Sequence, residues 1–219
     1  IIMSGNITTT GVGSPGIKTT FPVFVSTGSV TMSGNITTTG AGSRGIDSTS
    51  ASFTMSGNVT TTGSGSYGIY SAPQNLVPGI TKIEGEVTTT GANSTGIVTA
   101  GWGETTMLSG SITTKGDNAT GIYITAQRLD RVKTILSGSI TAAGHGIDIA
   151  TSTGNHEVDI SGTVNSMGTT YSALLNSGSG TGNKFTLNEG AVIIGNITNN
   201  SQSTQLAINL GQNESYAYS

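Results

Sequence analysis

The chain carries few groups able to do acid–base or metal chemistry: eleven Asp and Glu, two His and no Cys. Glycoside cleavage needs two carboxylates facing one bond. Of the eleven acids only Glu84 and Glu86 stand at i and i+2, where an extended strand would point both to one side. Neighbouring copies of the same phrase place Ser beside Glu84 and Asn or Ser beside Glu86, so no aspartate ladder for calcium emerges. A nucleophilic serine needs a His and an Asp, and 28 serines around His145 and His156 make pairs look suggestive by chance. No Gly-x-Ser-x-Gly elbow leads into a helix. His145, Asp148, His156 and Asp159 could meet across one turn of chain as metal ligands, but two solvated loop histidines are the expectation. The Arg128–Lys133 run reads as a solvated loop or self-paired charges. Trp102, with Tyr67, Tyr70 and Tyr123, is either a sugar-stacking platform or packing against a wall. The sequence therefore calls for no catalytic set, no metal and no cofactor.

What must position any site is a chain rich in small polar residues. Thr (38), Ser (28) and Gly (34) fill 100 of 219 positions, and only 19 residues are charged, for a net charge of −3. Helical bundles need the straight-chain residues that are scarce here, and a disulfide scaffold needs cysteine. Without a basic run, nucleic acid and anionic lipid are poor partners, and no apolar stretch approaches the roughly 20 residues of a membrane helix or forms a signal-peptide core.

A repeat separates order from disorder. Met-Ser-Gly-Asn-Ile-Thr-Thr-Thr-Gly at 3–11 recurs at 32–40, and residues 55–63 differ only by Val59. Weaker copies begin at Ile83, Leu108, Leu136, Ile160 and Ile193. Anchored on Gly5, Gly34, Gly57, Gly85, Gly110, Gly138, Gly162 and Gly195, the spacings are 29, 23, 28, 25, 28, 24 and 33. A Gly-Ile pair follows its anchor by 11 residues five times and then by 8, and Ala173-Leu174 stands at offset 11 in the next copy. From Gly-Ile to the next anchor the distance varies from 12 to 18. Each period thus has a rigid and an elastic part. The residues two before and two after each anchor are apolar in all eight copies, which reads as one face of a period-2 strand. Propeller blades need about 40 residues, and leucine-rich or ankyrin repeats need a Leu lattice or helices. A parallel β-helix remains, with each buried Ile stacked on the Ile of the next coil. Gly-Ile opens a second strand after a turn built on Gly11, Gly13 and Ser14, or on Gly116, Asp117 and Asn118. The elastic part holds the third face and its outward loops.

Phrases such as Ser-Gly-Ser-Ile-Thr-Thr-Lys-Gly-Asp-Asn-Ala-Thr-Gly-Ile-Tyr (109–123) resemble the passenger repeats of bacterial autotransporter proteins. The tail, with Leu187-Asn-Glu-Gly-Ala-Val-Ile-Ile-Gly-Asn-Ile-Thr, Leu206-Ala-Ile-Asn-Leu-Gly and Ser215-Tyr-Ala-Tyr-Ser, resembles the segment before the membrane barrel of such proteins. The resemblance covers residues 1–219 as one passenger-type domain, with 187–219 as its pre-barrel coils. It implies a right-handed parallel β-helix, secreted and displayed at the bacterial cell surface, and a family that includes adhesins, self-associating factors, proteases and esterases. The chain begins in mid-strand at Ile1 and lacks the signal peptide and barrel of the family plan, so it reads as a fragment. Gly144-His-Gly146 is also a motif of pectin-degrading hydrolases, but their Asn-Thr-Asp and Asp-Asp elements are missing.

The expected fold is all-β, a right-handed parallel β-helix of about eight coils, roughly 38 Å long. Its one organised surface is an outward ladder of Asn6, Thr8 and Thr10, then Asn35, Thr37 and Thr39, then Asn58, Thr60 and Thr62, then Thr88 and Thr90. Thr113 and Thr141 extend the first threonine file, while Lys115 and Ala143 break the second. Threonine is a common solvent-facing strand residue; stacked hydroxyls and amides also suit self-association. Paired Thr-x-Thr files occur in ice-binding proteins, and a glycan is a further ligand for such a face. Asn6, Asn35, Asn58 and Asn118 fit the N-glycosylation rule, with outward Asn stacking as the alternative. The expectation is a non-enzymatic surface protein whose partner is a second copy or a surface glycan, with no nucleic acid and no membrane contact by this segment.

Overall fold

The structure is a computed structural model that describes residues 1–20, 28–50, 52–73, 79–101, 103–125, 131–201, 203–209 and 211. It is an all-β parallel β-solenoid, with no helix among the described residues. Three parallel sheets of nine, eight and eight strands wrap one interior, and each strand inside a sheet pairs with the strands one coil before and one coil after it. We name the sheets faces A, B and C in chain order, beginning with Ile2–Met3, Ile7–Thr9 and Ile17–Thr19.

The register is set by aliphatic files. On face A, Met3, Met32, Met55, Ile83, Leu108, Leu136, Ile160 and Leu187 stack in order. On face B, Ile7, Ile36, Val59, Val87, Ile112, Ile140, Val164 and Ile193 do so. On face C, Ile17, Ile46, Ile69, Ile97, Ile122, Ile147, Leu174 and Ile197 complete the triangle. Slipping one strand by a single residue would turn its aliphatic side chain to solvent and a polar one inward, at a cost of about 1.5–3 kcal/mol for the lost burial alone.

Two expectations are corrected here. The Met-x-Gly-x-Ile unit is not one strand: Met55 ends a face A strand (Ser52–Met55), Val59 opens a face B strand (Val59–Thr61), and Gly57 is the corner between them. Both apolar residues point inward because the chain bends between them. Glycine is required there, since a Cβ on Gly57 would stand 2.0 Å from the Gly34 carbonyl oxygen one coil below. The eighth copy of the phrase is also one face out of phase. Ile193 stacks on Val164, not Ile160, and Ile197 on Leu174, while Leu187 takes the place above Ile160.

The corner between faces B and C follows the expected turn. Gly13, Gly42 and Gly65 have φ of 66°, 65° and 62°, and later coils put Asn93 and Asn118 there at 53° and 54°. Asparagine tolerates that left-handed conformation better than other side-chain-bearing residues. The corner from C back to A is the elastic part. Along the sequence three residues lie between Arg44–Ser48 and Ser52–Met55, and nine between Ile17–Thr19 and Ser29–Met32.

Candidate functional surface

Face B presents the ordered threonine surface. Thr8, Thr37, Thr60, Thr88, Thr113 and Thr141 are successive register partners, and the file ends in Asn165 and Ile194. Their hydroxyls repeat at about 4.8 Å, the strand spacing. A second file runs beside it, because the ladder continues past each strand end. Thr39 N–H donates to the Thr9 carbonyl at 3.0 Å, Thr62 to Thr38 at 3.0 Å and Thr90 to Thr61 at 3.0 Å. Thr10, Thr39, Thr62 and Thr90 are exposed and are followed by Lys115 and Ala143. The residue between the two files points the other way: Thr38, Thr61, Thr89 and Thr114 are buried in the interior.

Asn6, Asn35 and Asn58 edge this surface at the A/B corner, and their amide oxygens hold the stack together. Asn35 N–H donates to Asn6 Oδ1 at 3.1 Å, Asn58 N–H to Asn35 Oδ1 at 3.0 Å and Glu86 N–H to Asn58 Oδ1 at 3.0 Å. That leaves the NH2 end of each asparagine as the group it can offer a partner. At the next corner the roles differ: Asn118 donates its own Nδ2 to Asn93 Oδ1 at 3.0 Å. Beside the asparagine file an open trough of about 570 Å³ runs over a floor of Gly85, Gly110 and Gly138, walled by Ser56, Ser109, Asn58, Ser111 and Ser139.

Glu84 and Glu86 rise from this trough on opposite sides of the Gly85 corner, not on one strand face as the i, i+2 spacing suggested. Each already has a partner. Lys82 Nζ lies 2.6 Å from Glu84, and the Thr88 hydroxyl donates to Glu86 at 2.8 Å.

The four groups with metal-ligand potential do not converge. Asp159 is on the outside of face A, 2.8 Å from Lys133 Nζ. Asp148 is on face C, where it accepts hydrogen bonds from the Ser177 hydroxyl at 2.7 Å and the Ser177 N–H at 3.3 Å. Burial raises its pKa, and the Ser177 bonds and His145 work against that rise. Both histidines lie between strands, as expected, but His156 is not solvated and His145 is half-buried. His156 is fully buried and accepts the Val132 N–H at Nδ1, 3.1 Å away, and burial lowers its pKa. His145 accepts the Ser172 N–H at 3.0 Å and meets Tyr171 edge-on at 5.1 Å. Among the described residues no group of three or more His, Asp or Glu is arranged to hold a metal.

In the 128–133 run the described part pairs across coils, with Arg131 and Lys133 both 3.9 Å from Glu157. Arg128, Leu129 and Asp130 lie outside the described residues, as do Trp102 and Ser215–Ser219. On face C the guanidinium of Arg44 sits 3.9 Å from the Tyr70 ring centre and 5.6 Å from that of Tyr67, and is bonded to Asp47 at 3.0 Å. Arg44 thus covers the Tyr70 ring, and Tyr123 stands two coils along the same file.

Sequence reasoning missed the polar groups that hold the coils from inside. Ser43, Ser66 and Ser94 are buried, and each hydroxyl donates to a corner-glycine carbonyl of the preceding coil, Gly11, Gly40 and Gly63, at 3.0, 3.3 and 3.1 Å. Their constant place after each corner glycine was the available signal. No family model matches the chain, and neither curated proteins nor solved structures give a match.

Proposed function

We propose that this chain is a passenger-type segment of a bacterial surface protein, non-enzymatic, which associates laterally with a second copy of itself through face B. The observation that carries the reading is the unbroken register of outward threonines over six coils, from Thr8 to Thr141. Hydroxyls are both donors and acceptors, so two such files can hydrogen-bond at every coil once they are aligned. Weak single contacts then add along the length of the ladder, as in other multivalent contacts. Repeat composition and the solenoid fold support the passenger-type origin. Reading the parent gene past Ser219 tests it: a run of alternating strands of about 10 residues forming a barrel is the expected result.

The self-association test replaces Thr37, Thr60 and Thr88 together by Lys, which sets like charges face to face on the two ladders. Light scattering should show loss of self-association, while the control Thr31, Thr54 and Thr105 to Lys on face A should leave it intact. Unchanged association in the face B variant overturns the reading. The hydroxyl- and amide-walled trough beside face B favours a second reading, binding of a polyhydroxy glycan, in which Glu86→Gln would weaken glycan retention. A thermal-hysteresis signal abolished by the face B variant would assign the threonine surface to ice instead.

A further inference from the structure

The buried polar side chains of the interior are mostly neutral hydroxyls and amides, but at the C/A corner of a middle coil a carboxyl group is enclosed with no cation beside it among the described residues. Glu104 immediately precedes the face A strand Thr105–Leu108. Its backbone is fixed in the stack, since Lys133 N–H donates to its carbonyl at 2.9 Å and Thr105 N–H donates to the Gly79 carbonyl at 2.8 Å. Its side chain is turned inward and has 0% exposure. Among the described residues no hydrogen bond of good geometry reaches either carboxyl oxygen or the buried hydroxyls of Thr99, Thr106 and Thr134.

Burial is the largest influence on this carboxyl and raises its pKa; the hydroxyls of Ser71, Thr81 and Thr106 and the backbone of Gly101 lie close enough to oppose that rise. Ser71 and Thr81 are bonded to each other at 2.8 Å. No Lys or Arg among the described residues pairs with it. The nearest ionisable group in its own file is His156, two coils on, whose Nδ1 is occupied by the Val132 N–H. An ionised carboxylate enclosed without a cation is strongly destabilising, and an aliphatic side chain would fill the place at less cost. What the corner offers is a set of hard oxygen donors carrying one negative charge. That set suits a hard cation of a single positive charge, because a divalent ion is usually held by more than one carboxylate.

We propose that the solenoid interior contains an alkali-cation site in which the Glu104 carboxylate and the hydroxyls of Ser71, Thr81 and Thr106 ligate a monovalent ion such as Na+. Such an ion clamps two successive coils at their most variable corner. It also competes with a proton. Burial raises the Glu104 pKa from 4.5 to about 7, so the folded state holds a proton that the unfolded chain releases. In the absence of the ion, the stability present below 4.5 is lost as pH rises to about 7. The bound ion restores it on the alkaline side.

The test is denaturant unfolding of the whole chain, refolded in sodium, potassium, calcium or tetramethylammonium chloride at matched ionic strength. At about pH 8, where the carboxyl is ionised, Na+ or K+ should raise the unfolding midpoint saturably over tetramethylammonium; at about pH 5 the effect should vanish. Glu104→Gln should fold in every salt and lose the cation response, and Thr106→Val should weaken the response. Sodium NMR line broadening on the wild-type chain reads the same site without a variant. Equal midpoints in Na+, K+ and tetramethylammonium overturn the proposal, as does a Glu104→Gln chain that responds like wild type. A response to calcium alone overturns the monovalent assignment.

Discussion

Thr89 and Thr114 are neighbours in the same inward file of face B, both with 0% exposure, yet their hydroxyls differ. Thr114 Oγ1 donates to the Ala119 carbonyl at 2.8 Å, whereas Thr89 Oγ1 has no partner among the described residues. Valine has the same shape with a methyl in place of the hydroxyl, so Thr→Val isolates the polar contribution at each site. In Thr89→Val a buried hydroxyl that lost its water partners on folding is removed, which should stabilise by about 1–2 kcal/mol. In Thr114→Val a hydrogen bond is lost, and the Ala119 carbonyl keeps the Gly144 N–H at 2.8 Å, so the loss should be only about 1 kcal/mol. The same chemical change thus has opposite signs one coil apart. At this chain length 1 kcal/mol moves the melting temperature by about 2–4 °C, so the two variants should separate by roughly 4–12 °C. Thermal melts and denaturant midpoints of both, side by side with wild type, decide the matter. If Thr89→Val melts at or below Thr114→Val, unsatisfied hydroxyls do not govern this file and the reasoning fails. Thr38 and Thr61, also without partners, should behave like Thr89.

Three further outcomes are expected beside the face B and cation experiments. Gly85→Ala places a Cβ 1.9 Å from the Gly57 carbonyl oxygen and should cost about 3 kcal/mol or more, read as a large fall in melting temperature. Gly65→Asn, at φ 62° with nothing within 4 Å of its Cβ position, should change stability by less than about 1 kcal/mol, since Asn93 and Asn118 already occupy that corner. His156 is held neutral by burial, so the unfolded chain binds more protons below its ordinary pKa of 6.5, and stability should fall as pH drops through that value. His156→Asn, matching Asn183 at the next coil of the same file, should flatten that slope in a pH series of melts.

The solenoid was legible in the sequence because its causes are periodic. Sixteen apolar positions, the glycine anchors and the offset of 11 recur because every coil must present the same inward side chain to the coil below. That demand sets the aliphatic files and the repeated corners filled by Gly or Asn, and strand alternation then turns the flanking threonines outward. Other features have no periodic signature. The bend at Gly57 was invisible, since two inward residues flanking a glycine look alike on a straight strand and around a corner. The eighth copy misled for a related reason: Gly-Asn-Ile-Thr at 195–198 fits the B/C corner as well as the A/B corner, and only the register with Val164 and Leu174 places it. The burial of His156 and Glu104 belongs wholly to the tertiary structure. Both lie on the elastic corner, where link length differs from coil to coil, and which residue turns inward depends on how each link closes its coil against its neighbours.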